Sequence, residues 1–352
     1  MPRELWMGNE AFAEAALRAG MDCYFAYPIT PQSEAPAYLA RHMADRGRVF
    51  LQAESEVAAI NMVYGAAAAG KRAMTSSSSP GISLMQEGIS YLAGAELPAV
   101  IINIMRAGPG LGGITPSQAD YFQAVKGGGH GDYNCIVLAP TSVQELADFT
   151  GEAFDLADRY RNPVIVAGDG ILGQMLEPIE MRARYAEKQY DKSDWALTGR
   201  KDRPRHLIRS LFLSDVLIEH NHRLQTKFAR IRREIVKYKE YHTADCTILV
   251  AAFGIMARCA LAAVRQCRAE GIRAGLFVPQ ILWPYPSASL AAAAAAARQV
   301  LVAEMNAGQM VEDVRLAIGR PVPLETYNKI GGEMPRAAEV ADQIRRMARD
   351  GR

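Results

Sequence analysis

The chain has 352 residues, of which 49% are hydrophobic and 22% are charged, and its formal net charge is +2. This composition is that of a folded protein with a large core, and it excludes intrinsic disorder and fibrous repeats. The balance of 40 basic against 38 acidic residues provides no basic surface for nucleic acid, so we expect no nucleic-acid partner. The length favours two domains.

We expect no export signal in the first residues. Met1 to Gly20 include acidic residues and are expected to be helical from the first turns, whereas a secretory signal needs a basic start and an apolar run. The most uniformly apolar stretch, Leu290 to Ala297, is far shorter than the roughly 20 residues that cross a bilayer. We therefore expect a cytoplasmic protein without a membrane segment.

Residues 1–175 alternate apolar, β-type runs with helical runs of small residues, which predicts an α/β fold with a doubly wound parallel sheet. The predicted strands are Cys23–Tyr27, Arg48–Ala53, Arg72–Ser77, Ala99–Met105, Cys135–Pro140 and Pro163–Gly168. The last long helix begins after Ser142, a predicted N-cap, and Glu145 follows it at the spacing of a capping box.

From Glu180 to Ala244 the sequence turns polar and basic and lacks apolar, strand-like runs, as in a linker or arm. Within it a long amphipathic helix is predicted from apolar residues at helical spacing: Leu217, Leu224, Phe228, Ile231, Ile235 and Tyr238. Two interpretations stay open. The helix packs on its own domain, or it is an arm that contacts a partner subunit.

A second, smaller doubly wound unit is predicted from strands at Cys246–Gly254, Ala274–Pro279 and Gln299–Met305. The segment Trp283–Pro286 interrupts this unit with a rigid loop, because proline fixes its own backbone and restricts the residue before it. We therefore expect a first domain over residues 1–180, a linker with a helical arm over 181–244, and a second domain over 245–352.

Three loops follow predicted strands of the first domain, at the edge where open parallel sheets bind ligands. In the first loop, Tyr27–Glu34, two prolines present the Thr30 hydroxyl on a rigid frame, although Thr30 or Ser33 at an N-cap is the alternative. The second loop places Glu54 and Glu56 near a helix start, where the helix dipole stabilises carboxylates and capping is the default explanation.

The third loop, Thr75–Gly81, gathers hydroxyls at a predicted helix start, where an anion or a polar cofactor can bind. After the next strand comes a long segment rich in glycine and proline, Arg106–Tyr133, and loops of this length are usually functional. Arg106 directly follows an apolar strand. Such an arginine is well placed to bind a carboxylate through two parallel hydrogen bonds, and this interpretation leads over that of an ordinary surface arginine.

Metal ligands are not predicted. The GDG at Gly168–Gly170 has the start of a thiamine diphosphate magnesium motif, but no asparagine follows before Asn221, so we interpret it as a strand end. The five cysteines form no CxxC pair, and the six histidines show no HxxxH or HExxH pattern. Any cluster is expected on another chain.

Six segments, taken together and in order, resemble the alpha subunit of 2-oxoacid:ferredoxin oxidoreductases. They are YPITPQSE, ESEVAAINMVYGAAAAG, TSSSSPGISLMQEG, RAGPGLGGITPSQADYFQA, GGGHGDY and EMNAGQMVEDVR. The arm segment EHNHRLQTKF is similar to the branched-chain (3-methyl-2-oxobutanoate) subgroup. One departure is Ser79, because the family pattern TSSSGPG has glycine there, and this departure bears on the loop backbone if the position has a positive φ.

The resemblance implies a pyrimidine-binding domain of the thiamine diphosphate fold, followed by a domain like the transketolase C-terminal domain. It implies that Glu56 bonds the aminopyrimidine nitrogen, with Glu54 as the competing glutamate. It also implies that Thr30 lies near the substrate and that Arg106 holds the 2-oxoacid carboxylate. The residues expected around the cofactor are Tyr27, Pro28, Ile29, Glu56, Ser77 and Ser78.

The resemblance also implies partners. A beta subunit would bind the diphosphate and Mg²⁺, gamma and ferredoxin-like subunits would complete the enzyme with [4Fe-4S] clusters on partner chains, and ferredoxin would accept the electrons. Coenzyme A would be the cosubstrate. A 2-oxoglutarate enzyme and a noncatalytic interaction subunit are the alternatives. A Rossmann-type nucleotide enzyme is disfavoured because no GxGxxG follows the first predicted strand.

Overall fold

The computed structural model describes residues 3–185, 188–199, 202 and 205–350. In chain order the strands are β1 Glu4–Met7, β2 Cys23–Ala26, β3 Val49–Gln52, β4 Ala73–Ser77, β5 Ala99–Met105, β6 Ile136–Leu138, β7 Pro163–Asp169, β8 Leu176–Ile179, β9 Tyr238–Tyr241, β10 Ile248–Ala252, β11 Ala274–Pro279, β12 Ile281–Trp283, β13 Gln299–Glu304 and β14 Leu324–Asn328. The α-helices are α1 Gly8–Arg18, α2 Glu34–His42, α3 Glu56–Ala68, α4 Pro80–Gly94, α5 Tyr121–Val125, α6 Val143–Tyr160, α7 Gly170–Gln174, α8 Ser214–Glu234, α9 Gly254–Ala269, α10 Ser287–Ala293, α11 Met310–Ile318 and α12 Ala337–Asp350.

The first sheet has seven strands in the order β12-β6-β7-β5-β4-β2-β3, parallel except for β12. Its central strand β5, AVIINIM, is buried throughout, as expected for a parallel strand covered on both faces. The predicted doubly wound α/β fold is confirmed, and each of the six predicted strands overlaps an observed one.

The second sheet has five strands in the order β14-β13-β10-β11-β9, of which only β9 runs antiparallel within this sheet. Alternate residues of β10 enter different cores because side chains alternate across a strand. Leu249 and Ala251 join the core that extends from the first sheet, whereas Ile248 and Val250 pack in a separate core with α9 and α12. The two sheets are thus joined by a common apolar layer.

Helix α6 begins where it was predicted, but one of the two predicted capping hydrogen bonds has a different partner. The Ser142 hydroxyl accepts from the Glu145 backbone N–H at 3.1 Å. The Glu145 carboxylate, however, accepts from the backbone N–H of Thr141 at 2.8 Å, one residue before the N-cap. The helix start is therefore correct, and the reciprocal half of the capping box is shifted by one residue.

Two local predictions are wrong. Residues 4–7 are not helical, because Glu4–Met7 form β1, which pairs antiparallel with β8. The predicted arm helix does not reach Tyr238, because α8 ends at Glu234 and Tyr238–Tyr241 form β9 against β11. Alternation in the short segment YKEY is a strand pattern that the preceding helical spacing obscured.

Each sheet also includes one strand from the other side of the predicted boundary at residue 245. Strand β9 precedes residue 245 yet lies in the second sheet, and β12 follows residue 245 yet pairs with β6 in the first. The boundaries placed after residues 180 and 244 stay predictions.

Helix α8 packs one face on its own chain through Leu224, Phe228 and Ile231. Phe228 meets the Trp283 ring edge-on, with the ring centroids 5.7 Å apart. The Lys227 side chain is largely buried. Its ammonium group bonds the Glu96 carboxylate at 3.3 Å, and burial lowers the pKa of Lys227 to about 8. Within the described ranges, none of the helices is long and apolar enough to cross a membrane.

Candidate active site

The predicted site residues gather at one edge of the first sheet. Adjacent parallel strands β5, β4, β2 and β3 all end there, and a loop leaves each of them. Thr30 follows β2, Glu56 follows β3, Ser78 follows β4 and Arg106 follows β5. This is the edge at which open α/β sheets bind ligands.

Glu56 is a buried carboxylate, 6% exposed, at the first residue of α3. The cap of α3 is supplied instead by Ser55, whose hydroxyl accepts from the Ala58 N–H at 3.1 Å. Among the described residues the Glu56 carboxylate has no hydrogen-bond or ion-pair partner, whereas Glu54 is exposed to solvent. Capping therefore does not explain Glu56.

The Glu56 carboxylate lies against the start of α4. A Cβ atom added to Gly81 would be 2.7 Å from Glu56 Oε1 and 2.0 Å from the Ser77 hydroxyl oxygen, so any larger residue there would displace both groups. Glycine at this position allows helix α4 to approach α3 closely. The carboxylate, Gly81 and Ser77 form one polar recess.

Several hydroxyls around this recess are buried without a partner. In the part of the chain that the structure describes, the Ser77, Ser78 and Thr75 hydroxyls and the Gln32 amide nitrogen have no hydrogen-bond partner. A buried polar atom without a partner costs free energy, and such atoms are uncommon in folded proteins. Of these residues, Ser77 and Ser78 lie at the carboxyl end of β4 near Gly81, where their unpartnered hydroxyls can bond a polar ligand.

Arg106 is 6% exposed and spans two loops. Its guanidinium donates to the Thr30 carbonyl at 2.8 Å and to the Leu111 carbonyl at 2.9 Å, and its Nε is buried without a partner among the described residues. Thr30 and Arg106 therefore lie together. Because two donors already hold the loops, a bound carboxylate would meet the N–H groups that remain.

The other predicted residues of the first loop lie at the surface. Tyr27 is 41% exposed, Pro28 and Thr30 are exposed, and Ile29 is half-buried. Ser33 occupies the N-cap position of α2, but its side chain caps none of the described backbone N–H groups. The alternative of Ser33 as N-cap is therefore correct in position but not in side-chain bonding, while a role of this loop in ligand binding stays a prediction.

Ser79 has a φ of +25°, a backbone region that residues other than glycine rarely occupy. Its N–H donates to Asn103 Oδ1 at 3.1 Å, and its hydroxyl donates to Asp120 Oδ2 at 2.6 Å and accepts from the Arg106 N–H at 2.9 Å. Sequence reasoning missed Asn103 and Asp120. The signal for Asn103 was present, since it is a polar residue inside the apolar run AVIINIM.

The GDG segment is a strand end, and it is also a helix cap. The Asp169 carboxylate accepts from the Ile171 N–H at 3.0 Å and the Leu172 N–H at 3.1 Å. Burial raises the pKa of Asp169 to about 6. Among the described residues, no group of three or more His, Cys, Asp or Glu side chains is arranged to hold a metal ion.

Solved structures place this architecture in a known class. The fold matches a split-gene transketolase, an inactive beta4 tetramer, with a TM-score of 0.62 and 14% identity over 97% of each chain. It matches a 2-oxoglutarate:ferredoxin oxidoreductase from Magnetococcus marinus with a TM-score of 0.89 and 26% identity. The match covers 98% of this chain but 65% of the solved chain, so this chain spans about two thirds of that longer one. The fold is that of the transketolase-like α/β proteins.

Sequence comparisons define the family. Residues 14–245 match the model described as pyruvate flavodoxin/ferredoxin oxidoreductase, thiamine diP-binding, and residues 244–340 match pyruvate:ferredoxin oxidoreductase core domain II. The ketoisovalerate oxidoreductase subunit VorB of Methanothermobacter thermautotrophicus is 52% identical over 99% of both chains. The 2-oxoglutarate synthase subunit KorA of the same organism is 37% identical over 97% of this chain and 98% of the relative. The chain therefore belongs to the 2-oxoacid:ferredoxin oxidoreductases, as a subunit of the thiamine diphosphate-dependent type.

Proposed function

We propose that this chain supplies the pyrimidine-binding carboxylate and the substrate-orienting side chains of an enzyme that oxidatively decarboxylates a branched-chain 2-oxoacid to an acyl-CoA. The observation that carries the proposal is Glu56, a buried carboxylate without a described partner, beside unpartnered hydroxyls and on the same sheet edge as Arg106 and Thr30.

The recess around Glu56 suits the aminopyrimidine of thiamine diphosphate. The Ser77 and Ser78 hydroxyls lack partners in the described chain, and Gly81 leaves room between Ser77 and Glu56. When bound, thiamine diphosphate supplies a carbon nucleophile for the 2-oxo carbon. Glu56 would accept a hydrogen bond from a protonated pyrimidine nitrogen, and its negative charge would stabilise the proton there. Glu54 is exposed and is less suited to this task.

Arg106 and Thr30 would orient the substrate. The guanidinium is held by carbonyls on two sides, so it offers its remaining N–H groups to a carboxylate in a fixed direction. A fixed direction matters because an aligned carbonyl removes orientational freedom before reaction. The chain supplies no nucleophile of its own to this reaction.

The other components would come from partner chains. We assign the diphosphate and Mg²⁺ to a beta subunit, and the [4Fe-4S] clusters to partner subunits of the gamma and ferredoxin-like types. Coenzyme A would take the acyl group, ferredoxin would accept the electrons, and the complex would be cytoplasmic. Two features of the sequence support this division. It has no CxxC pair, and the GDG at Gly168–Gly170 is followed by no asparagine before Asn221.

A cavity of about 590 Å³ beside Arg106 bears on the acyl group. Loops that follow strands of both sheets line it, and the lining includes the apolar Pro109, Met305 and Ile330 together with the acidic Asp120. Among the described residues of this lining, Arg106 is the one basic side chain. A dicarboxylate such as 2-oxoglutarate needs a second cation, so the lining favours an apolar acyl chain. The higher identity to ketoisovalerate subunits than to 2-oxoglutarate subunits supports the same choice.

The test is coexpression with the partner subunits, followed by purification of the complex and of the chain alone. We expect the chain alone to be inactive and the complex to prefer 3-methyl-2-oxobutanoate over 2-oxoglutarate in kcat/KM. Turnover by the isolated chain would refute the division of labour. A strong preference for the dicarboxylate would refute the branched-chain assignment while leaving the roles of Glu56 and Arg106 intact.

A further inference from the structure

Asp120 stands at the start of a helix without acting as its cap. It occupies the N-cap position of α5, where an aspartate ordinarily accepts from the next backbone N–H groups, yet its side chain caps none of those that the structure describes. Its Oδ2 instead accepts from the Ser79 hydroxyl at 2.6 Å and from the Asn103 amide at 2.9 Å. The carboxyl is turned towards the ends of β4 and β5.

Ser79 transmits this contact to the site. Its hydroxyl has one hydrogen to donate, and Asp120 is its nearer acceptor; the oxygen then accepts the Arg106 backbone N–H. The φ of +25° at Ser79 is unfavourable for a residue with a side chain, so the hydrogen bonds must hold the backbone there. Ser79, Asn103 and Arg106 are all buried.

The chain of contacts ends at the guanidinium. With its N–H fixed by Ser79, Arg106 leaves β5 in one direction and reaches the Thr30 and Leu111 carbonyls. Without the Asp120 carboxyl, the Ser79 hydroxyl keeps only its longer contact with the Arg106 carbonyl at 3.2 Å, so the strained backbone is held less firmly and can return to a negative φ. That change would move both the first turn of α4 and the backbone of Arg106.

We propose that Asp120 is a positioning residue for the Arg106 guanidinium and that it acts through the Ser79 hydroxyl. The inference rests on the proposed function, since it concerns the arginine assigned there to the substrate carboxylate. Asp120 bonds the Ser79 hydroxyl and the Asn103 amide, and it lines the cavity beside Arg106 without a hydrogen bond to the guanidinium.

The experiment compares Asp120→Ala, Asp120→Asn, Ser79→Gly and the double variant Asp120→Ala/Ser79→Gly in the assembled complex. Asp120→Ala should raise KM for 3-methyl-2-oxobutanoate about tenfold with KM for coenzyme A unchanged, since only the carboxylate contact is loosened. Asp120→Asn keeps an acceptor oxygen and should stay near wild type. In the Ser79→Gly background the further effect of Asp120→Ala should fall below about twofold, because the two residues act in series.

A second readout needs no turnover. Hydrogen–deuterium exchange of the Arg106 amide in the unliganded complex should be faster in Asp120→Ala and Ser79→Gly, unchanged in Asp120→Asn, and unchanged in the exposed control Asp45→Ala. Equal exchange in all variants would overturn the inference, as would an Asp120→Ala effect of the same size with glycine at 79. Faster exchange together with a normal KM in both Asp120→Ala and Arg106→Ala would support the positioning contact and refute the role of Arg106 in the proposed function.

Discussion

Two buried glutamates at strand ends differ in how the protein treats them. Glu304 ends β13 in the second sheet, is fully buried, and accepts from the N–H groups of Gln309, Met310 and Val311 at 3.1, 2.8 and 3.2 Å. Glu56 follows β3 in the first sheet, is almost as buried, and has no described partner. The first carboxylate holds a helix start, while the second is left available to a ligand.

The difference shows how to separate structural from functional carboxylates. Burial alone does not distinguish them, and neither does proximity to a helix N-terminus, because Glu56 is the first residue of α3 and the Glu304 carboxylate bonds the first N–H groups of α11. The number of protein hydrogen-bond donors to the carboxylate does distinguish the two residues. A buried group whose hydrogen-bonding capacity is unused within the described chain is expected to matter for activity, whereas a saturated one is expected to matter for stability.

The largest effect is expected for Glu56→Gln. The change preserves shape but removes the charge that stabilises a pyrimidine proton, so decarboxylation by the complex should fall on the order of a hundredfold or more. Thermal unfolding and complex assembly should be unchanged, since Glu56 bonds no described residue. Glu54→Gln is the matched control and should retain activity. The reverse order of damage would show that the wrong glutamate was assigned.

Arg106→Ala should follow in size. Loss of a charge-assisted bond costs about 1.5 to 3 kcal/mol, which lowers kcat/KM by roughly ten- to a hundredfold. Arg106→Lys should recover only part of the loss, because an ammonium group lacks the planar fork of donors. Steady-state kinetics with 3-methyl-2-oxobutanoate test this. Full activity of the lysine variant would contradict a carboxylate held by parallel hydrogen bonds.

Glu304→Gln sharpens the comparison from the other side. An amide oxygen cannot replace a charged carboxylate towards three helix N–H groups, so the free energy of unfolding should fall by about 1 to 3 kcal/mol. Urea unfolding followed by circular dichroism measures the loss. If Glu304→Gln were as stable as wild type and Glu56→Gln were not, the distinction by donor count would fail.

The smallest expected effect is on the pH dependence of the free energy of unfolding. Burial raises the pKa of Asp169 from 3.8 to about 6, so the folded chain binds this proton more tightly than the unfolded chain. By linkage, the Asp169 contribution to the free energy of unfolding is most favourable below about pH 4 and is lost as the pH rises through 6. Asp169→Asn keeps one acceptor oxygen and should flatten that part of the profile. Identical wild-type and variant profiles would contradict this assignment.

Much of the first sheet was predictable because parallel strands covered on both faces are continuous apolar runs, and β5 is the clearest example. The grouping of Thr30, Glu56 and Arg106 followed from the rule that parallel strands end at one edge. Strands β1, β8, β9, β12 and β14 were not recognised, because each is only three to five residues long and is stabilised by pairing with another strand. Local sequence does not specify such pairing.

The hydrogen bonds of the site could not be predicted from the sequence, for a related reason. Nothing in the order of residues shows that Asp120 turns away from its own helix towards Ser79, since both directions suit an aspartate before a helix. The resemblance did mark position 79 as unusual, and its positive φ is what the expected glycine would have allowed. What replaces the glycine is a set of bonds to residues far away in sequence.

Strand β12 has a consequence for any attempt to divide this molecule. It comes from the second half of the chain and covers β6, which would otherwise be the edge of the seven-stranded sheet. A protein cut after residue 244 would expose the β6 backbone N–H and carbonyl groups, together with the apolar Val137 and Leu138. Unprotected edges of this kind recruit other strands. The first half made alone should therefore aggregate, and adding residues 245–352 as a separate polypeptide should rescue its solubility.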